Sequence, residues 1–191
     1  MKVKDYHIIL ASNSPRRKEL LAGLDVAFEV RVIPGLEEHY PASLPAEEIP
    51  VFLAKQKAEA YTKEMSACTL LITADTIVWN RGEVIGKPKD REDAIRMLQS
   101  LSGHAHKVIT GVCLTTQEKQ KAFAVTSTVY FASLSDEEII YYVDHYKPFD
   151  KAGAYGIQEW IGYVGVERID GSFYNVMGLP VQRLYQELKR F

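Results

Sequence analysis

The stretch Ile8-Ile-Leu-Ala-Ser-Asn-Ser-Pro-Arg-Arg-Lys-Glu-Leu-Leu21 constrains the fold more than any other part of the chain. Ile8 to Ala11 is a short apolar run with β-branched members and predicts a buried strand. Ser12-Asn13-Ser14 is polar and turn-forming. Pro15 suits the first position of a helix, with Ser14 as its N-cap. Leu20, Leu21 and Leu24 then form a buried stripe, and Gly23 or the residues after it end the helix. The N–H groups of a first helical turn point out of such a strand-turn-helix unit, and Arg16 and Arg17 sit on the same turn. Donors, the positive helix end and guanidiniums together suit an anion, most naturally a phosphate. A capped surface helix with two solvated arginines accounts for the same residues.

The 191 residues suffice for one domain, or one domain with a lobe, around a sizeable core. The net charge of −2 and the lack of any basic run argue against a dedicated nucleic-acid binder. Cys68 and Cys113 each lie in an apolar stretch and read as buried free thiols of a reducing compartment. Met1 to Asp5 is polar and the apolar run after it is too short for a signal peptide, and no run reaches membrane-spanning length. A soluble cytoplasmic protein is expected, with no nucleic-acid or membrane partner.

Further along, Phe28 to Ile33 alternates like a strand, Pro34-Gly35 breaks it, and Glu37-Glu38 follow on a loop. A second helix is expected from about Ala46 to Met65, with Ile49, Phe52, Leu53 and Ala60 buried and Lys57 at the edge of that stripe. A lysine there snorkels to water or reaches into a cleft. Thr69 to Ala74 reads as a central strand, Asp75-Thr76 follows it directly, and residues 76–86 read as a hairpin about Asn80-Arg-Gly82. Asp90, with Asp93 three residues on, caps a third helix carrying Ala94, Met97, Leu98 and Leu101, which Ser102-Gly103 stops.

Lys107 to Thr115 and Ala122 to Leu134 predict a long antiparallel hairpin. Ser135-x-x-Glu138 is a capping box opening a helix with Ile139, Ile140 and Val143, ending before Pro148. Phe149 to Gln158 is a loop of small residues. A strand is expected near Gly162 to Ile169, a turn at Asp170-Gly171, and a last helix from Pro180 with Val181, Leu184, Tyr185 and Leu188 buried. Early alternation and later hairpins make a mixed α/β domain rather than a doubly wound sheet.

Four polar clusters interrupt apolar elements at their ends: Ser12 to Arg17, Glu37-Glu38, Asp75-Thr76 and Gly86-Lys87-Pro88. Lys57 and the loop from Asp150 to Gln158 are two further candidates. Asp75 is the hardest to explain by structure alone. A carboxylate in a run as apolar as Leu70 to Val78 costs several kcal/mol if buried unpaired. If the clusters converge, the carboxylates and cations suit Mg²⁺ and a polyphosphate. There is no Walker motif and no Gly-x-Gly-x-x-Gly. His104 and His106 would share a strand face, but with no third ligand nearby they read as ordinary histidines. No Ser-His-Asp or Cys-His arrangement stands out, which disfavours a covalent mechanism.

The sequence closely resembles the Maf family of nucleoside triphosphate pyrophosphatases. The matching motifs are Ala11-Ser-x-Ser-Pro-Arg-Arg-x-Glu-Leu-Leu21, Gly35-x-Glu-Glu38, Leu53-Ala-x-x-Lys-Ala58, Ala74-Asp-Thr-Ile-Val78, Lys87-Pro88, Ser102-Gly-x-x-His106 and Asp150-Lys-Ala-Gly-Ala-Tyr-Gly-Ile-Gln158, closed by Gly178-Leu-Pro180. The resemblance implies a single domain over residues 1–191. Its fold would be like that of the inosine triphosphatases, a mixed sheet with long hairpins and two lobes flanking a cleft. It implies hydrolysis of a nucleoside triphosphate to the monophosphate and pyrophosphate, dependent on a divalent cation such as Mg²⁺ or Mn²⁺. Dimers are frequent in the family, and a homodimer is carried over as an expectation.

The family's general base matches Asp75, and its other polar site residues match Ser12, Arg16, Glu38, Lys57 and Lys87. Glu38 and Asp75 are the expected metal-holding pair. The loop ending in Gln158 looks like the branch that prefers dTTP and UTP, whose selectivity positions match Arg16, Thr76 and Gln158. One departure is Glu159, where the family commonly has glycine. It sets an extra carboxylate and a stiffer backbone beside Gln158. Two rivals stand beside this reading: a purine-directed pyrophosphatase acting on 7-methyl-GTP or ITP, and a nucleotide-sensing regulator of cell division without catalysis. A general base at Asp75 together with Lys57 and Lys87 favours catalysis, since a sensor needs no base.

Overall fold

Strand β3 (Thr69–Asn80) is a single strand of twelve residues, and all but Thr76 and Trp79 are buried. It lies between β1 (His7–Leu10) and β5 (Ala105–Thr115) in a seven-stranded sheet of order β2-β1-β3-β5-β6-β7. The others are β2 (Glu29–Val30), β6 (Gln120–Phe131), β7 (Val166–Asp170) and β4 (Glu83–Ile85), which pairs with β3. The β1 pairings with β2 and β3 are parallel, whereas β3–β4 and β6–β7 are antiparallel, so the expected mixed α/β class is borne out. This computed structural model describes residues 6–191; the polar segment Met1 to Asp5 lies outside the described residues.

The chain divides into two compact units. The first takes the chain up to Asp75, then Thr110–Val125 and Gly178–Phe191. Here α1 (Pro15–Ala22) begins where expected: the Ser14 side chain accepts from Arg17 N, and Pro15 holds the first helical position. Helix α2 (Ile49–Glu59) is shorter than its pattern predicts, with a 3-10 turn over Thr62–Glu64 taking the remainder. Its packed face is Leu53, Ala54 and Ala58, while Phe52, expected inside, is exposed. Ala54 and Ala58 join Ile9, Tyr61, Met65, Leu71 and Cys113 in one core cluster. Small residues let α2 lie close to the sheet. At Gly111 of β5 an added Cβ would stand 2.3 Å from the Pro50 carbonyl carbon. Helix α7 (Val181–Arg190) closes this unit with Leu184 and Leu188 buried, and Val181 and Tyr185 only half-buried. The strand expected over Phe28 to Ile33 shrinks to β2, and Cys68 is exposed rather than buried.

The second unit holds Thr76–Ile109 and Thr126–Met177. The β3–β4 hairpin turns through Arg81 (φ 50°) and Gly82 (φ 93°), both left-handed as a tight hairpin turn requires. Helix α3 (Arg91–Leu101) is capped by Asp90, which accepts from Asp93 N at 2.8 Å. Helix α4 (Asp136–Tyr146) opens on the Ser135/Glu138 capping box. Its buried residues are Ile139, Tyr142 and Val143, and Ile140 faces out, contrary to expectation. The strand expected from Gly162 begins only at Val166, because Trp160–Gly165 forms helix α5. β-branched neighbours suggest extension there, but Gly162 is pressed so closely on Ile157 that an added Cβ would lie 1.7 Å from its carbonyl oxygen. A short helix α6 (Phe173–Met177), unmarked in the sequence pattern, follows β7.

Candidate active site

Asp75 does not terminate an element; it lies within β3. Strand alternation puts it on one face with Leu71 and Thr73, and puts Thr76 on the other with Val78 and Asn80. Helix α2 covers the first face. Thr73 Oγ1 donates to the Ala54 carbonyl at 2.6 Å, and Leu71 packs with Ala54 and Ala58. Lys57 therefore emerges from α2 over the strand and donates to Asp75 Oδ1 at 2.6 Å. Its Nζ is also 2.9 Å from Glu38 Oε1. Side-chain exposure is 16% for Lys57 and 11% for Asp75 but 44% for Glu38, so one ammonium bridges a shielded carboxylate and a solvent-facing one.

The first turn of α1 reaches the same strand. Arg17 NH1 donates to the Ala74 carbonyl at 3.0 Å, and its Nε donates to the Gly178 carbonyl at 2.8 Å. Burial lowers the Arg17 pKa, the charge of Asp75 opposes that shift, and Arg16 adds to it. Arg17 is therefore a structural arginine rather than a solvated one. It fixes α1 to the residue before Asp75. The sequence held no signal for this, since its carbonyl partners are sequence-neutral. Ser12 is buried, and its Oγ accepts from Ser14 N at 3.2 Å. The first-turn donors are less open than expected: Pro15 has no N–H, and Arg17 N and Lys18 N bond to the Ser14 side chain and carbonyl. What this turn can offer an anion is chiefly the Arg16 side chain and the Ser12 hydroxyl proton.

Thr76, Lys87 and Gln158 belong to the second unit. On the Thr76 face of β3, Val78 lies beneath Gly153, where an added Cβ would stand 2.9 Å from Val78 Cγ2. Gly153 N donates to the Gly86 carbonyl at 3.0 Å, joining the loop that ends at Gln158 to the segment carrying Lys87. Gln158 Oε1 is buried and has no hydrogen-bond partner among the described residues. His106 is buried and shares a 2.7 Å hydrogen bond with Tyr155 OH, and His104 is exposed just before β5. Both serve as ordinary histidines.

The carboxylates Glu38 and Asp75, with Lys57 between them, suit a cation completed by phosphate oxygens, because Mg²⁺ is usually bound through one or two carboxylates plus substrate. Among the described residues no group of three or more His, Cys, Asp or Glu side chains forms an all-protein metal site.

The fold is shared with a HAM1 protein from Coxiella burnetii, with a TM-score of 0.50 and 14% identity over 97% of this chain and 100% of that one. At that identity the likeness is one of fold. The family is narrower: the model of the family described as Maf-like protein matches residues 7–191, and the chain belongs to that family. A Parabacteroides distasonis protein named dTTP/UTP pyrophosphatase is 64% identical over 189 residues, covering 99% of this chain and 98% of its own. A Bacteroides fragilis protein of the same name is 62% identical over 185 residues, covering 97% and 96% respectively. No helix among the described residues is long and apolar enough to cross a membrane.

Proposed function

We propose that this chain hydrolyses dTTP and UTP to the monophosphate and pyrophosphate, with residues 1–191 acting as a single cytoplasmic Maf-like domain. The substrate class comes from the relatives' names. The observation that carries the chemistry is the Glu38–Lys57–Asp75 cluster, in which a shielded carboxylate is held by an ammonium. Lys57 fixes Asp75 Oδ1, and the other carboxylate oxygen takes the proton of the water that attacks the α-phosphorus. Ser12 donates its hydroxyl proton to the triphosphate, and Arg16 pairs with it in charge-assisted hydrogen bonds. Lys87 neutralises the negative charge gathering on the departing pyrophosphate, and Lys57 adds to that field. No covalent intermediate is required; positioning and electrostatics carry the rate.

Asp75 and Glu38 would hold a divalent cation, Mg²⁺ or Mn²⁺. When bound, it would neutralise phosphate charge. Gln158 reads the base: its unpaired Oε1 accepts from the N3–H of uracil or thymine, and its Nε2 donates to O4. Thr76 and Arg16 complete the selectivity set. The test is pyrophosphate release from dTTP and UTP against 7-methyl-GTP, ITP and GTP, with and without Mg²⁺ or Mn²⁺. Preference for the pyrimidine pair is expected. Binding of UTP with no pyrophosphate formed in either metal would overturn the catalytic reading, and preference for a purine would overturn the base assignment.

A further inference from the structure

The carboxylate of Glu159 is fully engaged. Its Oε2 accepts from the Tyr142 hydroxyl of α4, and its Oε1 lies 3.2 Å from Lys151 Nζ. Tyr142 OH in turn accepts from Gly156 N at 2.9 Å, and Glu159 N donates to the Gly156 carbonyl at 3.0 Å. The loop is therefore closed on itself at both ends, Lys151 to Glu159 across its mouth and Tyr142 beneath its middle. The pair is well shielded, with side-chain exposures of 9% and 19%. Burial, and after it the bond to Glu159, raises the Tyr142 pKa, so the phenol remains a donor to the carboxylate.

Gln158 sits inside this closure. An added Cβ on Gly156 would stand 2.8 Å from Glu159 Cδ and 3.1 Å from Gln158 Nε2, so the two side chains lie together over the Gly156 backbone. The Gln158 Oε1 remains buried without a partner. An unpaired buried carbonyl costs about 1–3 kcal/mol and is ordinarily relieved by a small backbone or rotamer shift. The ties at Gly156 and Glu159, on either side of Gln158, restrain the backbone against that shift.

We infer that Glu159 is a positioning residue for base selection: through Lys151 and Tyr142 it holds the loop so that the Gln158 amide is presented, acceptor unpaired, to the pyrimidine edge. This rests on the reading of Gln158 given above. CTP is the informative competitor, because cytosine carries an acceptor at N3 and donors at N4 where uracil carries a donor and an acceptor.

The experiment compares kcat/KM for UTP and CTP in Gln158→Ala, Glu159→Gly, Tyr142→Phe and the Gln158→Ala/Glu159→Gly double variant, with Tm measured on each. Glu159→Gly and Tyr142→Phe are expected to lower the UTP/CTP ratio about tenfold, the scale of one hydrogen bond's net contribution. The double variant should match Gln158→Ala alone, since Glu159 acts through Gln158. A Glu159 serving stability alone would lower Tm and leave the ratio unchanged, and that result overturns the inference, as does additivity in the double variant. If Glu159→Gly fails to fold, Tyr142→Phe decides, because it keeps the ring and removes only the hydroxyl. An unchanged ratio in Gln158→Ala would instead remove the base-reading role itself and the inference with it.

Discussion

Arg17 donates to the carbonyl of Ala74, so the first turn of α1 is bonded to the residue directly before the proposed base, Asp75. A backbone carbonyl on a buried strand is a fixed anchor, and a planar guanidinium that also bonds Gly178 ties three chain segments at one point. Lysine gathers its donors on one atom at the end of a flexible stem and lacks the rigid fork that aims Nε and NH1 at separate carbonyls. Arg17→Lys should therefore cost about 1–3 kcal/mol of stability by chemical denaturation. It should also lower kcat for UTP, because Ser12 and Arg16 lose their registration to Asp75. Wild-type kcat in a destabilised Arg17→Lys would separate the clamp from catalysis.

Asp75→Asn keeps the shape of the side chain and removes its charge. Lys57 retains Glu38 at 2.9 Å as a partner, so the ammonium is not stranded and the fold should persist by circular dichroism. Turnover should fall by about 10²–10⁴, the usual contribution of a positioned general base. UTP hydrolysis by the variant at the wild-type rate would eliminate Asp75 as the base.

Gly111 sets the height of α2 above the sheet. A methyl group there meets backbone atoms of Pro50 and Val51 at 2.3 and 2.4 Å, which cannot rotate away. Gly111→Ala must push the start of α2 outward, at about 1–3 kcal/mol for overpacking. Because Lys57 is on the same helix, its 2.6 Å bond to Asp75 should suffer with it. The expected result is a lower Tm together with lower kcat, whereas Gly23→Ala, at a position with only ordinary contacts, should show neither.

What could be read in the sequence was what local chemistry decides. Ser14 with Pro15, Asp90 with Asp93 and Ser135 with Glu138 announce helix starts because cap and partner are at most three residues apart. Asp75 drew attention because a carboxylate in so apolar a run needs a partner, and the partner is Lys57, 18 residues earlier. Residues whose state depends on distant packing carry no such local signal. Gly162 to Gly165 carries a strand-like pattern but lies in α5, where Gly162 meets Ile157, and Phe52 and Ile140 fall on the outer side of their helices. The apolar run ends at Ala74, whereas β3 continues to Asn80 and sets Asp75 and Thr76 on opposite faces. The Lys151–Glu159–Tyr142 closure joins a loop to a helix that no motif couples to it.

His106 gives a pH signature independent of activity. Its ring is packed edge-on against Phe131 and Tyr155, with centroids 5.0 and 5.5 Å away, and no carboxylate faces it among these contacts. Burial pushes its pKa down from 6.5 to about 4. The unfolded chain therefore binds a proton at His106 between these values while the folded chain does not. Stability at this site is complete above about pH 6.5, falls as the pH drops toward 4, and levels off below it. At about 1.4 kcal/mol per pKa unit, the loss across that window is roughly 3 kcal/mol. His106→Gln keeps a polar partner for Tyr155 OH and has no proton to gain. Urea unfolding of both proteins from pH 7.5 to 4 should show the wild type losing stability faster, by that amount. Parallel curves would mean that His106 takes up its proton in the folded protein as readily as in the unfolded chain.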